Sequence, residues 1–215
     1  MADDKPCLSR REVRRNDRRD AIVAIAQAYF LDHGYAATTM SGIAGTMGGS
    51  KATLWSYFPS KEALFEAVID RATTLFRQRL TPLLDPDGDF ESGLRGFMLR
   101  FLEKLTQAES VALHRLVHAE SGRFHEVGRI FYDRGPRTIV HLAGAFIGRA
   151  MDRGTLRRDD PVWAARTLIA IGMAGSHQQL LLGLVDVVTP EMIAADADAA
   201  IDTFMRLYAP AERPA

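Results

Sequence analysis

Apolar residues recur every three or four positions through most of the chain, the spacing of a helix that buries one face. Near the N-terminus one such stripe contains Ile22, Ala26 and Phe30, and His33-Gly34 follows where a glycine typically ends a helix. Ser60 occupies an N-cap position before the next long helix. The pattern predicts helices over residues 20–31, 39–47, 51–58, 61–71, 90–106, 111–120, 127–134, 138–151, 162–184 and 191–208.

Strands are not predicted, because no alternation of apolar and polar residues is bounded by hairpin turns. Residues 80–89 contain two prolines and a glycine and are expected to form a loop. The fold class is therefore all-α, with about nine helices.

Composition narrows the class of protein. The chain has 215 residues, of which 47% are hydrophobic and 25% charged, as in one or two globular domains. Its single cysteine, Cys7, excludes an intramolecular disulfide bond. The first residues lead into an arginine cluster rather than an apolar segment, and no stretch of about 18 apolar residues occurs. We expect no signal peptide, no membrane span and a cytoplasmic location.

Positive charge is concentrated near the N-terminus although the formal net charge of the chain is zero. Residues 1–61 hold nine Lys and Arg against six Asp and Glu, whereas residues 62–215 hold eighteen against twenty-one. Six arginines fall within ten residues: Arg10, Arg11, Arg14, Arg15, Arg18 and Arg19. This cluster indicates either an anionic partner such as DNA or a solvated tail, and charge alone does not separate the two.

Two short helices joined by a tight turn are predicted within residues 38–61, which read TTMSGIAGTMGGSKATLWSYFPSK. Thr39 is placed to cap the first helix, and Ser50 to cap the second. Between them, Gly48-Gly49 permits a turn with positive φ. This arrangement is a helix-turn-helix, whose second helix enters the major groove of DNA.

The sequence of this segment resembles that of the N-terminal domain of the TetR/AcrR family of bacterial repressors. The shared positions are an arginine-flanked first helix, Phe30, Gly34-Tyr35, Thr38-Thr39, Ile43-Ala44, Gly48, Ser50-Lys51, Thr53-Leu54-Trp55, Tyr57-Phe58, Ser60-Lys61-Glu62 and Leu64. Residues 113–136 and 154–161, with the two long helices that follow, resemble the C-terminal domain of the AefR-like branch. The resemblance divides the chain into a basic tail (1–17), a helix-turn-helix domain (18–63) and a ligand-binding and dimerisation domain (64–215).

The resemblance also implies roles for individual residues. A homodimer would bind a pseudo-palindromic operator and release it when a small molecule enters the C-terminal domain. Thr39 and Lys61 match positions that contact DNA phosphates, and Ser50, which begins the recognition helix, is also assigned to the DNA contact. The positions that face the groove are Lys51, Ala52, Thr53, Trp55, Ser56 and Tyr57. Gly49, Ala52 and Trp55 depart from the usual family residues, and Trp55 is either a groove residue or a core aromatic.

The C-terminal part is expected to supply the dimer interface and the effector site. The helices from Val162 to Leu184 and from Glu191 to Tyr208 carry apolar stripes, and glycines in the first allow another helix to approach closely. An uncharged or apolar effector is expected in a pocket among the middle helices. Its candidate residues are Phe97, Phe101, His118, Phe131, Phe146, Met173 and His177.

Other chemistry has little support in the sequence. His114 and His118 lie four residues apart and His125 follows, but no carboxylate or cysteine completes a metal site at a suitable spacing. No phosphate-binding glycine loop or nucleophile motif is present, so we expect no cofactor, no metal and no enzymatic activity. Two alternatives remain open: a helical protein that binds a small molecule or a metal without a DNA role, and an activator or partner-binding module.

Overall fold

The computed structural model describes residues 9–48, 51–85 and 87–210. These residues form eleven α-helices, one short 3-10 helix and no strand. The helices are α1 (Arg10–Ala37), α2 (Met40–Thr46), α3 (Lys51–Tyr57), α4 (Lys61–Leu80), α5 (Phe90–Leu105), α6 (Ala108–Glu120), α7 (His125–Arg134), α8 (Pro136–Asp152), α9 (Pro161–Met173), α10 (Ser176–Leu182) and α11 (Pro190–Tyr208), and the 3-10 helix is Thr81–Leu83. The predicted all-α class is confirmed.

The N-terminal helix begins earlier than the sequence pattern predicted. Residues 10–17, assigned to a tail, form the first two turns of α1. Ser9 and Glu12 make a capping box there, in which the Ser9 hydroxyl accepts from the Glu12 amide and the Glu12 carboxylate accepts from the Ser9 amide. Residues 1–8 lie outside the described part of the chain, and Cys7 is among them.

The described residues contain eleven α-helices where the sequence pattern predicted ten helical ranges, because the segment from Val162 to Leu184 is two helices rather than one. The break falls at Gly175, beside the Asp196 carboxylate of α11, which accepts a hydrogen bond from the Ser176 amide at 2.8 Å. A Cβ at Gly175 would collide with that carboxylate. A side chain twenty residues away along the chain therefore ends α9 and begins α10.

Two apolar clusters hold the described residues together. The first contains Ile22, Phe30, Leu54 and Phe65 and extends into α6 and α7, so the three helices at the N-terminus share their core with the body. The second is built from α5, α8, α9 and α11. Helix α4 contributes to both, with Leu64–Ile69 in the first and Leu80 in the second.

None of the described helices is long and apolar enough to cross a lipid bilayer.

Candidate nucleic-acid interface and ligand cavity

Helices α2 and α3 form a helix-turn-helix on the first apolar cluster. The Thr39 hydroxyl accepts a hydrogen bond from the Gly42 amide at 3.0 Å and caps α2. Gly48 has φ of 61°, a left-handed conformation that favours glycine. Leu54 and Phe58 are buried beneath α3. Gly49 and Ser50 lie outside the described residues, so the predicted cap of α3 and its DNA contact stay predictions.

The opposite side of α3 faces solvent. Lys51, Ala52 and Ser56 are exposed, Thr53 and Tyr57 are half-buried, and Trp55 has 48% of its surface exposed. Trp55 is therefore not a core aromatic. Thr39 is also exposed. Polar and aromatic groups thus cover the surface of the second helix, which in a helix-turn-helix is the one that reads base edges.

Lys61 is held in a contact within the protein. Its ammonium group donates to the carbonyl of Tyr35 at 2.8 Å and lies 4.1 Å from the centre of the Tyr35 ring. The Phe124 ring is 5.8 Å away. Its predicted role as a phosphate ligand stays a prediction, and in the structure Lys61 joins α1, α4 and the segment before α7.

The first turns of α1 extend the candidate surface. Residues 9–21 are all exposed, so about 18 Å of helix projects beyond the core, which starts at Ile22. At about 100° per residue, the six arginines from Arg10 to Arg19 fall on one half of this helix. Arg15 lies 6.0 Å from the ring centre of Tyr57 on α3, and Arg19 lies 5.2 Å from that of Phe58.

The sequence showed this charge but not its position. Because α1 is continuous with the core helix, the arginines lie beside α3. Arg10, Arg11, Arg14 and Arg18 have no ion-pair partner among the described residues. They are available to an anionic partner.

A half-buried carboxylate ties the end of α1 to α6. At Gly34, where φ is 77°, the helical backbone of α1 is interrupted. The Glu120 carboxylate accepts hydrogen bonds from the amides of Tyr35 and Ala36, both at 2.7 Å. Burial raises the pKa of the Tyr35 hydroxyl, and the nearby carboxylates of Glu62 and Glu126 add to the effect. The last residue of α6 is therefore joined by two hydrogen bonds to the last turn of α1.

A cavity of about 320 Å³ is lined by residues of α1 and of the six helices from α4 to α9. Four of the seven predicted pocket residues line it: Phe101, His118, Phe131 and Met173. The other three, Phe97, Phe146 and His177, do not line this cavity. Phe97 and Phe146 are completely buried in the second apolar cluster, and His177 packs against the ring of His114.

His114 and Ser110, which were not predicted, do line the cavity. The sequence signal for His114 was its spacing from His118, which is also compatible with partly buried or pocket-lining histidines. Within the described residues, no group of three or more His, Cys, Asp or Glu side chains is arranged to hold a metal ion.

Comparison with known proteins identifies the class. Residues 22–68 match the model of bacterial regulatory proteins of the tetR family, and residues 92–210 match the C-terminal domain of AefR-like transcriptional repressors. The chain is 24% identical over 171 residues to the transcriptional repressor NemR of Escherichia coli, covering 76% of this chain and 84% of NemR.

Solved structures give the same result. The flavonoid-responsive regulator FrrA is 33% identical, with a TM-score of 0.79 over 91% of this chain and 98% of FrrA. A TetR-family regulator from Mesorhizobium loti is 26% identical, with a TM-score of 0.79 over 91% of this chain and 98% of that protein. This chain belongs to the TetR family of DNA-binding transcriptional regulators and carries an AefR-like C-terminal domain.

Proposed function

We propose that this protein is a homodimeric repressor that binds a pseudo-palindromic operator through α3 and releases it when a small molecule occupies the cavity. The observation that carries the proposal is the exposed face of α3, which presents Lys51, Trp55 and Ser56 above a completely buried Leu54. Lysine and hydroxyl side chains can bond to base edges in the major groove. The arginines on the projecting part of α1 would bind phosphates beside the same groove.

A two-fold dimer is what two symmetric half-sites require, because each α3 enters one major groove about 34–36 Å from the other. The described residues carry an exposed apolar group suited to such an interface at the end of α10. Leu182, Leu184 and Val187 are 66%, 72% and 73% exposed. We therefore place the interface on α10 and the exposed side of α11.

Gly172 in α9 allows a close approach within the subunit rather than at a dimer contact. Gly172 is buried, and a Cβ there would collide with Met98 of α5 in the same subunit. The close approach predicted from the small residues of α9 is thus made inside the monomer, and the proposed interface uses the exposed side chains instead.

Release by an effector is supported by the position of α6. The cavity is lined by Ser110 and His114 of α6, whereas Glu120 at the other end of α6 holds the backbone of α1. Near the cavity, Gln27 of α1 also donates to Glu109 of α6 at 2.6 Å. A ligand that prefers one position of α6 shifts the population of states that match the operator. The description of FrrA as flavonoid-responsive supports a small organic molecule as effector.

The experiment compares the wild type with the double variant Lys51→Ala/Tyr57→Ala on genomic fragments selected by the wild-type protein in excess nonspecific DNA. The control is Arg79→Ala, which removes a positive charge from an exposed site on α4. We expect the double variant to lose selective binding while it stays folded and the control to retain it. A wild-type protein that selects no fragment would favour the alternative of a small-molecule-binding protein without a DNA role.

A further inference from the structure

A polar stripe on α6 faces an otherwise apolar part of the cavity. Ser110, His114 and His118 are spaced by four residues, so they lie on one face of α6, and all three line the cavity. Opposite them are aliphatic and aromatic side chains, among them Phe101 and Ile169. Most of the polar side chains that line the cavity therefore lie on α6, and the others are Gln27, Thr73 and Lys104.

The hydrogen-bonding role of His114 is fixed by its neighbour in the helix. Its Nδ1 lies 2.8 Å from the carbonyl oxygen of Ser110. A carbonyl oxygen only accepts hydrogen bonds, so Nδ1 carries the proton and Nε2 is left as an acceptor. No hydrogen-bond partner for this Nε2 exists within the described ranges. Within the described residues, the one side-chain polar atom that is fully buried and has no hydrogen-bond partner is Nε2 of His177. Nε2 of His114 is therefore partly accessible.

Neighbouring rings hold the imidazole of His114 in place. The Phe131 ring packs edge-on against it at 5.2 Å between ring centres, and the His177 ring does so at 5.5 Å. Burial lowers the pKa of His114 and outweighs the hydrogen bond to Ser110, which raises it, and the adjacent His118 adds to the lowering. His114 is thus a neutral, positioned acceptor at neutral pH.

We infer that the cavity binds an uncharged, largely apolar molecule bearing a hydroxyl group that donates a hydrogen bond to Nε2 of His114. A carboxylate has no donor to offer this atom and would leave both acceptors facing each other. The charged Lys104 also lines the cavity, but Glu109 lines it as well, so these two side chains give the cavity no net positive charge that would favour a carboxylate. The inference rests on the proposed function only in naming this molecule as the effector.

The test is calorimetric titration of the full chain with three two-ring compounds that share a biphenyl skeleton. The first, 4-phenylphenol, has a hydroxyl donor. The second, 4-methoxybiphenyl, keeps the oxygen but lacks the donor, and the third, biphenyl-4-carboxylate, is an anion. We expect the phenol to bind about tenfold more tightly than the ether, the value of one neutral hydrogen bond, and the carboxylate to bind most weakly.

Two variants assign the difference to one atom. His114→Phe keeps a planar ring but removes the acceptor, so the phenol and the ether should bind with equal affinity. His141→Phe makes the same change at an exposed position of α8 that does not line the cavity, and it should preserve the tenfold preference. The comparison of ligands on the wild type needs no variant, so it stands even where His114→Phe does not fold.

The outcomes separate this inference from the proposed function. Equal wild-type affinities for the phenol and the ether, tightest binding of the carboxylate, or no binding of any of the three would overturn the inference. Operator binding by the same preparation is measured without ligand, so its presence or absence tests the proposed function independently. A phenol preference that persists in His114→Phe would also contradict the assignment to Nε2.

Discussion

Replacing Glu120 with alanine removes the carboxylate that holds the end of α1 against α6. The substitution leaves the amides of Tyr35 and Ala36, each 2.7 Å from a Glu120 oxygen, without their acceptor. A hydrogen bond to a charged group contributes about 1.5–3 kcal/mol when shielded and less when water competes. Glu120 is half-buried and serves two donors, so we expect the free energy of unfolding to fall by about 2–3 kcal/mol.

Urea denaturation measures this loss, and amide hydrogen exchange localises it. Amide exchange at Tyr35 and Ala36 should accelerate in the variant, while the amides in the second apolar cluster should keep the same order of exchange rates among themselves. Glu91→Ala is the control, because Glu91 is exposed and has no side-chain partner among the described residues. The control should cost less than about 1 kcal/mol. A loss below about 0.5 kcal/mol for Glu120→Ala, or unchanged exchange at both amides, would show that the Glu120 carboxylate does not stabilise the end of α1.

Three further predictions follow from charge, burial and exposure. Arg14→Ala/Arg18→Ala should weaken binding to all DNA sequences and lower the slope of log K against log salt by about 2, because two phosphate contacts are lost. Burial lowers the pKa of His177 from 6.5 to about 4, with a smaller contribution from His114, so the folded protein resists protonation that the unfolded chain accepts. The contribution of His177 to the free energy of unfolding should therefore be complete above pH 6.5, and the free energy should fall by about 2–3 kcal/mol towards pH 4. The fall should be smaller in His177→Phe, as the midpoints of urea denaturation at each pH would show. Leu182→Asp should shift the protein from dimer to monomer in light scattering.

Each of these variants has a matched control. Arg79→Ala changes an exposed arginine on α4 and should leave the salt slope of DNA binding near the wild-type value. His141→Phe alters an exposed histidine and should keep the full pH dependence of stability. Leu75→Asp places the same charge at a leucine that is 53% exposed on α4 and should remain dimeric. Equal behaviour of a variant and its control would contradict the corresponding prediction.

The helix-turn-helix could be predicted from sequence because its signals are local. The capping hydroxyl of Thr39 acts three residues away, and Gly48 adopts positive φ within the turn itself. The exposed side of α3 follows from helical spacing once Leu54 is recognised as buried. These features need no knowledge of where the rest of the chain lies.

Other features depend on residues that are distant in the sequence. The break before α10 is made by Asp196, and Lys61 is held by a carbonyl 26 residues earlier. The cavity shows the same limit. Phe97 and Phe101 lie on one inward-facing stripe of α5, so periodicity does not distinguish the core residue from the one that lines the cavity. That distinction requires the relative placement of the seven helices that line the cavity.

If two copies of this chain read a symmetric operator through α3, the DNA that they protect has two-fold symmetry. Footprinting of the wild-type protein on its selected DNA, in excess nonspecific competitor, measures this symmetry. We expect two protected half-sites related by a two-fold axis, with centres about one helical turn apart, 10–10.5 base pairs, or a multiple of it. Uniform protection that the competitor abolishes, or a single unpaired site, would contradict it.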